Sequence, residues 1–103
     1  MRKEVLERYL SYCNKKMLKD KFYKFGNNHF SILRCTDKAV QINFKITDLR
    51  EFDVETGKRI YENGIYTDDT YLVFWCPKKF MGYELKNISC FFVSEKIKEE
   101  LSK

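Results

Sequence analysis

The chain has 103 residues, of which 44% are apolar and 17% aromatic, and its formal net charge is +5. This composition excludes a disordered chain, and the length predicts one domain over residues 1–103. No apolar run approaches the roughly 20 residues that span a bilayer, so we expect a cytoplasmic protein without membrane contact.

An amphipathic helix is predicted over residues 2–19. Its apolar residues recur at three- and four-residue steps and line one face: Val5, Leu6, Tyr9, Leu10, Cys13 and Met17. The other faces are basic, and residues 1–25 hold eight basic and three acidic side chains, a local net charge of +5. Residues 21–25 fit either an extension of this helix or a strand, and their aromatic content favours the strand.

Strands are predicted through the middle of the chain. Residues 29–35 favour a strand and residues 36–38 a turn, whereas residues 39–46 alternate strictly between apolar and polar side chains. That period of two predicts a strand with one buried and one solvated face, as antiparallel sheets allow. Residues 49–54 give a weaker strand signal, and the Asn-Gly pair at 63–64 suits a tight hairpin turn.

The last third of the chain contains two apolar segments. Residues 70–76 are the most apolar and are predicted to form the central strand, which Pro77 ends. The connection that follows shows no clear period. Residues 88–93 are predicted to form the last strand, and a short helix then begins with Ser94 as its N-cap.

Strands in the middle of the chain and helices at its ends predict an α+β fold. The expected architecture is an antiparallel sheet of five to six strands. The N-terminal amphipathic helix packs on one face of this sheet, and a short C-terminal helix completes the domain.

The four cysteines lie far apart in sequence, and His29 is the only histidine. A zinc site needs closely spaced ligand pairs, so neither a metal nor another cofactor is expected. The even number of cysteines also fits a disulfide framework. The N-terminus, however, shows a charged helix instead of a secretory signal, which favours reduced and mostly buried thiols.

Catalytic constellations are not apparent. His29 stands beside a turn with no partner at a suggestive spacing, and a general base needs such a partner. Glycine-rich phosphate loops and the H-E-x-x-H motif are also missing from the sequence. We therefore predict a protein that is not an enzyme, with no catalytic residues.

The C-terminal stretch SCFFVSEKIKEELSK, residues 89–103, is similar to the closing motif of a family of bacterial immunity proteins that neutralise polymorphic toxins. The matching positions are Phe91, Phe92, Val93, Ser94, Glu95, Lys98 and Leu101. The resemblance implies a small protein that binds and blocks another protein. Phage-encoded inhibitors of bacterial defence fit the same description. The matching residues look structural, so no functional residue is carried over from the family.

The predicted contact surface for such a protein target is an acidic, tyrosine-bearing region. Residues 48–69 hold seven acidic and three basic side chains, a local net charge of −4. The candidate residues are Asp53, Glu55, Tyr61, Glu62, Tyr66, Asp68 and Asp69. This charge would steer the region toward a basic target, such as a protein that handles nucleic acid.

The alternative function is nucleic-acid binding through the basic face of the first helix. Its candidate residues are Arg8, Lys15, Lys16 and Lys19, which could contact phosphates. Aromatic side chains could add platforms for base stacking if one face of the sheet is open. The sequence does not determine the oligomeric state.

Overall fold

A computed structural model describes residues 3–46, 70–80, 83–84 and 87–103 of the chain. The helix α1 spans Lys3–Lys19 and the helix α2 spans Cys90–Leu101. The strands are β1 (Lys24–Phe25), β2 (Phe30–Cys35), β3 (Ala39–Ile46), β4 (Thr70–Pro77), β5 (Lys79–Phe80), β6 (Tyr83–Glu84) and β7 (Ile88–Ser89). A single 3₁₀ turn, Asn27–His29, precedes β2.

Three of these strands form an antiparallel sheet in the order β2-β3-β4. The turn between β2 and β3 is closed by Thr36, whose backbone N–H and hydroxyl both donate to the carbonyl of Ala39 at 2.8 and 3.0 Å. A register shift near Leu33 interrupts the β2–β3 pairing. The turn and the alternation predicted for residues 36–46 are therefore confirmed.

The hydrophobic core lies between one face of this sheet and the two helices. In β3 the alternate residues Val40, Ile42, Phe44 and Ile46 are all buried. The apolar face of α1 covers this side of the sheet and packs along α2. Tyr12 belongs to the buried face of α1, although the sequence analysis did not include it.

The prediction of one sheet of five to six strands is wrong for the described residues. They form one three-stranded sheet and two separate two-stranded pairs, β1 with β7 and β5 with β6. Strand β3, not residues 70–76, lies at the centre of the larger sheet. The α+β class, the antiparallel pairing and the helix at each end are confirmed.

One strand missing from the larger sheet is the one predicted over residues 88–93. Only Ile88 and Ser89 pair as a strand, and the helix α2 already begins at Cys90. The backbone N–H of Cys90 donates to the carbonyl of Tyr23 at 2.9 Å, which fixes the start of α2 beside β1. The predicted strand over 88–93 is therefore wrong beyond its first two residues. The sequence predicts that residues 21–25 extend the first helix or form a strand, and a strand is observed at Lys24–Phe25.

The N-cap of α2 is Ser89 rather than Ser94. The Ser89 hydroxyl accepts a hydrogen bond from the Phe92 backbone N–H at 3.2 Å, as an N-cap does. The Ser94 hydroxyl instead donates to the Phe91 carbonyl at 2.8 Å, within the helix. The cap predicted at Ser94 is wrong because the helix starts one turn earlier.

We predict that Ser89→Ala lowers the free energy of unfolding by about 1 kcal/mol, because the orphan N–H of Phe92 loses its acceptor. The matched control is Ser94→Ala, which removes a hydroxyl bonded to a carbonyl inside the helix and should cost less than about 0.5 kcal/mol. Urea denaturation followed by circular dichroism measures both values. A larger cost for Ser94→Ala would contradict the assignment of the cap.

Neither helix in the described part of the chain is long and apolar enough to cross a membrane.

Candidate functional site

One face of the three-stranded sheet carries the core, and the opposite face is here called the open sheet face. Residues paired across antiparallel strands place their side chains on the same side of the sheet. The register therefore assembles three rows. The open sheet face consists of Trp75, Gln41 and Arg34 in the first row, Val73, Asn43 and Ser31 in the second, and Tyr71 and Lys45 in the third.

Strand β4 defines the character of this face. Its residues alternate between buried and exposed along the whole strand. The exposed fractions are 49% for Tyr71, 51% for Val73 and 44% for Trp75, whereas Leu72 and Cys76 are buried. An apolar strip therefore faces outward on β4, and Ile32 and Leu33 on β2 are also exposed. On β3 its direct neighbours are the polar or charged Gln41, Asn43 and Lys45.

Basic side chains gather at the Trp75 end of the open sheet face. The backbone N–H of Lys78 donates to the Lys38 carbonyl at 3.0 Å, so these two residues lie side by side where β3 begins and β4 ends. Arg34, Lys38, Lys78 and Lys79 are all exposed and are called the basic end below. Two acidic residues adjoin it: Asp37 lies in the turn between β2 and β3, and Glu84 of β6 pairs in register with Lys79.

The basic residues predicted on the first helix differ in exposure, and their contact with nucleic acid stays a prediction from sequence. Lys15 and Lys19 are exposed, whereas Arg8 is half-buried. The Lys16 ammonium lies 5.6 Å from the ring centre of Tyr12 and 5.4 Å from that of Tyr23, within cation–π range. Because α1 covers the buried side of the sheet, these residues face away from the open sheet face.

The acidic candidates lie outside the described residues. This holds for Asp53, Glu55, Tyr61, Glu62, Tyr66, Asp68 and Asp69, and for the predicted strand at 49–54 and the hairpin at 63–64. Their assignment as a contact surface stays a prediction from sequence.

His29 is packed against aromatic rings. Its ring lies 5.2 Å from that of Phe25 and stacks at 6.1 Å on that of Phe44. Burial, and the nearby charge of Lys45 to a lesser degree, lower the pKa of His29 below its usual 6.5. At neutral pH the side chain is therefore an uncharged part of the core edge.

We predict that this histidine makes the fold weaker in mild acid. Since the folded-state pKa is lowered, the unfolded chain binds the proton more readily. The stability from the neutral ring is present above pH 6.5 and is lost as the pH falls through 6.5 toward the lower folded value. Urea midpoints between pH 7.5 and 5.5 measure the effect, and His29→Gln should flatten the curve. Equal slopes for both proteins would refute the assignment.

The four cysteines are all unpaired, and three of them are buried. Cys13 and Cys90 are each fully buried where α1 meets α2, and their thiols are hydrogen-bonded to each other. That hydrogen bond, together with burial, raises the pKa of the Cys13 thiol well above its usual range. Burial raises the pKa of the Cys76 thiol to about 11. Neither is a reactive nucleophile at neutral pH, since the thiolate is the reactive form.

No cluster of three or more metal-ligating side chains occurs among residues 3–46, 70–80, 83–84 and 87–103. A groove of about 280 Å³ between the start of α1 and the end of α2 is lined by Lys3, Leu6, Glu100, Leu101 and Lys103. The Lys103 ammonium is already paired with the Glu100 carboxylate at 3.2 Å. Three of the five lining residues are charged, and two of these pair with each other, so we regard the open sheet face as the stronger candidate.

No protein-family model matches this chain, and searches of curated proteins and of solved structures find no match. The immunity-protein resemblance of the C-terminal stretch stays a prediction.

The sequence predicts a solvated face for residues 39–46 but does not place Tyr71, Val73 and Trp75 on it. Tyr71, Val73 and Trp75 alternate with Leu72, Phe74 and Cys76, and all six are apolar or aromatic. The period-two signal is invisible when both faces carry apolar side chains. The polar alternation of residues 39–46 was the only local hint that one face of the sheet is solvated.

Proposed function

We propose that this chain is a non-enzymatic binding protein whose contact surface is the open sheet face. One observation carries the proposal: Tyr71, Val73 and Trp75 are about half exposed while the residues between them are buried. A face that is only solvated would carry polar side chains at these positions. Contiguous exposed apolar groups rimmed by polar ones are typical of interaction sites.

The residue types support the same proposal. Trp, Tyr and Arg contribute most often to binding energy at protein surfaces, and the open sheet face carries Trp75, Tyr71 and Arg34. A strand holds its side chains in fixed directions, so little conformational freedom is lost on binding.

The sequence predicts a second contact region for a protein target, the acidic region of residues 48–69. Through this region the chain would bind and block a basic protein target, as immunity proteins and phage anti-defence inhibitors do. Reversal of the charges at Asp53, Glu55, Asp68 and Asp69 should then slow association, because electrostatic steering is lost. Binding with unchanged rate and salt dependence would rule out the acidic region as the contact.

The proposed contact surface is tested by affinity capture from the native cell. We expect the wild-type chain to retain a partner that the double variant Tyr71→Ala/Trp75→Ala loses, with circular dichroism showing that the variant is folded. Phe91→Ala is the matched control, since Phe91 is an aromatic residue of α2 with 46% exposure. If the double variant retains every partner of the wild-type chain, the open sheet face is not the contact surface.

A further inference from the structure

The width of the apolar strip limits what can sit on the open sheet face. The strip is formed by β4, and the adjoining row on β3 consists of Gln41, Asn43 and Lys45. A standard protein interface buries about 800 Å² on each partner around an apolar centre from which charged side chains are depleted. Here the polar row on β3 separates the strip from the exposed Ile32 and Leu33 of β2, so the apolar groups do not form one continuous centre. An amide beside one ring and an ammonium beside the other fit flat polar ring systems better.

The spacing of the two rings favours single strands. Trp75 and Tyr71 are four residues apart on one strand, which corresponds to about 13 Å. Stacked bases in a duplex rise by about 3.4 Å per strand and hide their faces from the solvent. Two rings so far apart can each take one base only if the strand is extended and its bases are unstacked.

The charges around the face complete the pattern. Across the first row, Arg34 lies two strands from Trp75, roughly 10 Å away at the spacing of neighbouring strands. The phosphate of a nucleotide whose base covers Trp75 would therefore come within reach of the Arg34 guanidinium. The basic end adds Lys38, Lys78 and Lys79. None of the described members of the open sheet face is acidic.

We infer that the open sheet face binds single-stranded nucleic acid. Bases stack on Trp75 and Tyr71, the basic end contacts phosphates, and Gln41 lies beside the first base with an amide that can donate and accept hydrogen bonds. This inference rests on the proposed function, because it names the occupant of the same face. It differs from nucleic-acid binding through the first helix, which lies on the other side of the sheet.

Trp75 is the only tryptophan of the chain, so its fluorescence reports on this face directly. We expect 12-nucleotide oligo(dT) or oligo(rU) to quench that fluorescence at low salt, and a 12-base-pair duplex to have much less effect. Heparin serves as a polyanion without bases. A comparison of oligo(dT) with oligo(rU) shows whether the face binds single-stranded DNA or single-stranded RNA more tightly.

Variants are compared by the anisotropy of labelled oligo(dT). Trp75→Ala and Tyr71→Ala should each weaken binding at least about fivefold, whereas Trp75→Phe retains a ring and should recover much of the affinity. Phe91→Ala should leave binding unchanged. Lys78→Ala/Lys79→Ala should reduce the slope of log affinity against log salt by about 1.4. The matched pair Lys15→Ala/Lys19→Ala removes two exposed lysines from α1 and should leave that slope unchanged.

Three results would overturn the inference. The first is an absence of oligonucleotide binding at low salt. The second is oligonucleotide binding that is no tighter than heparin binding and is unchanged by Trp75→Ala. The third is binding that depends on Lys15 and Lys19 instead of the basic end. If no oligonucleotide binds but capture of a protein still requires Tyr71 and Trp75, the inference is wrong and the proposed contact surface stands.

Discussion

Phe44→Ala is expected to lower the free energy of unfolding by about 3 to 5 kcal/mol. Phe44 lies on the central strand β3 and is fully buried. Its ring centre lies 5.2 Å from that of Phe25, 6.2 Å from that of Tyr9 and 6.1 Å from that of His29. The truncation removes a large apolar group and leaves a cavity that ring systems from α1, β1 and the 3₁₀ turn cannot easily fill.

The measurement is urea denaturation of the wild-type chain and the variant, followed by circular dichroism. The matched control is Val73→Ala, because Val73 stands on the same sheet but has 51% exposure on the open sheet face. Its cost should stay within about 1 kcal/mol, the range of strand propensity. Comparable losses at the two positions would contradict the division of the sheet into a buried and an open face.

Val93→Asp is expected to cost at least about 3 kcal/mol, whereas Phe91→Asp should change stability by less than about 1 kcal/mol. Val93 is fully buried, so an aspartate there would be a charge without a partner in an apolar setting. Phe91 is 46% exposed in the first turn of α2. A carboxylate at that end of a helix interacts favourably with the helix dipole.

A comparison of Val93→Asp with Phe91→Asp tests whether these residues form the observed helix or the strand that the sequence predicts over 88–93. Positions 91 and 93 would share one face of a strand but lie on opposite sides of a helix. Equal effects of the two aspartates would therefore contradict the early start of α2. If Val93→Asp does not fold, Val93→Thr keeps the shape of the side chain, and a reduced urea midpoint for it carries the same comparison.

The sequence by itself determined the elements whose local pattern is compatible with only one type of secondary structure. The three- and four-residue steps from Val5 to Cys13 can only line one side of a helix, and α1 is observed at Lys3–Lys19. The alternation over 39–46 likewise requires a half-buried strand, and β3 covers those residues. The turn at 36–38 followed from the same pattern, because its residues interrupt two strand signals.

Only the tertiary structure decided the state of the apolar segments without a clear period. In residues 88–93 a strand and a helix are equally compatible with the local composition. The helix forms because packing against α1 and the sheet buries Phe92, Val93 and Ile97 while leaving Phe91 outside. The exposed strip on β4 has the same origin. A short apolar run fixes no face by itself, so the neighbouring elements determine which side becomes core and which side stays open to a partner.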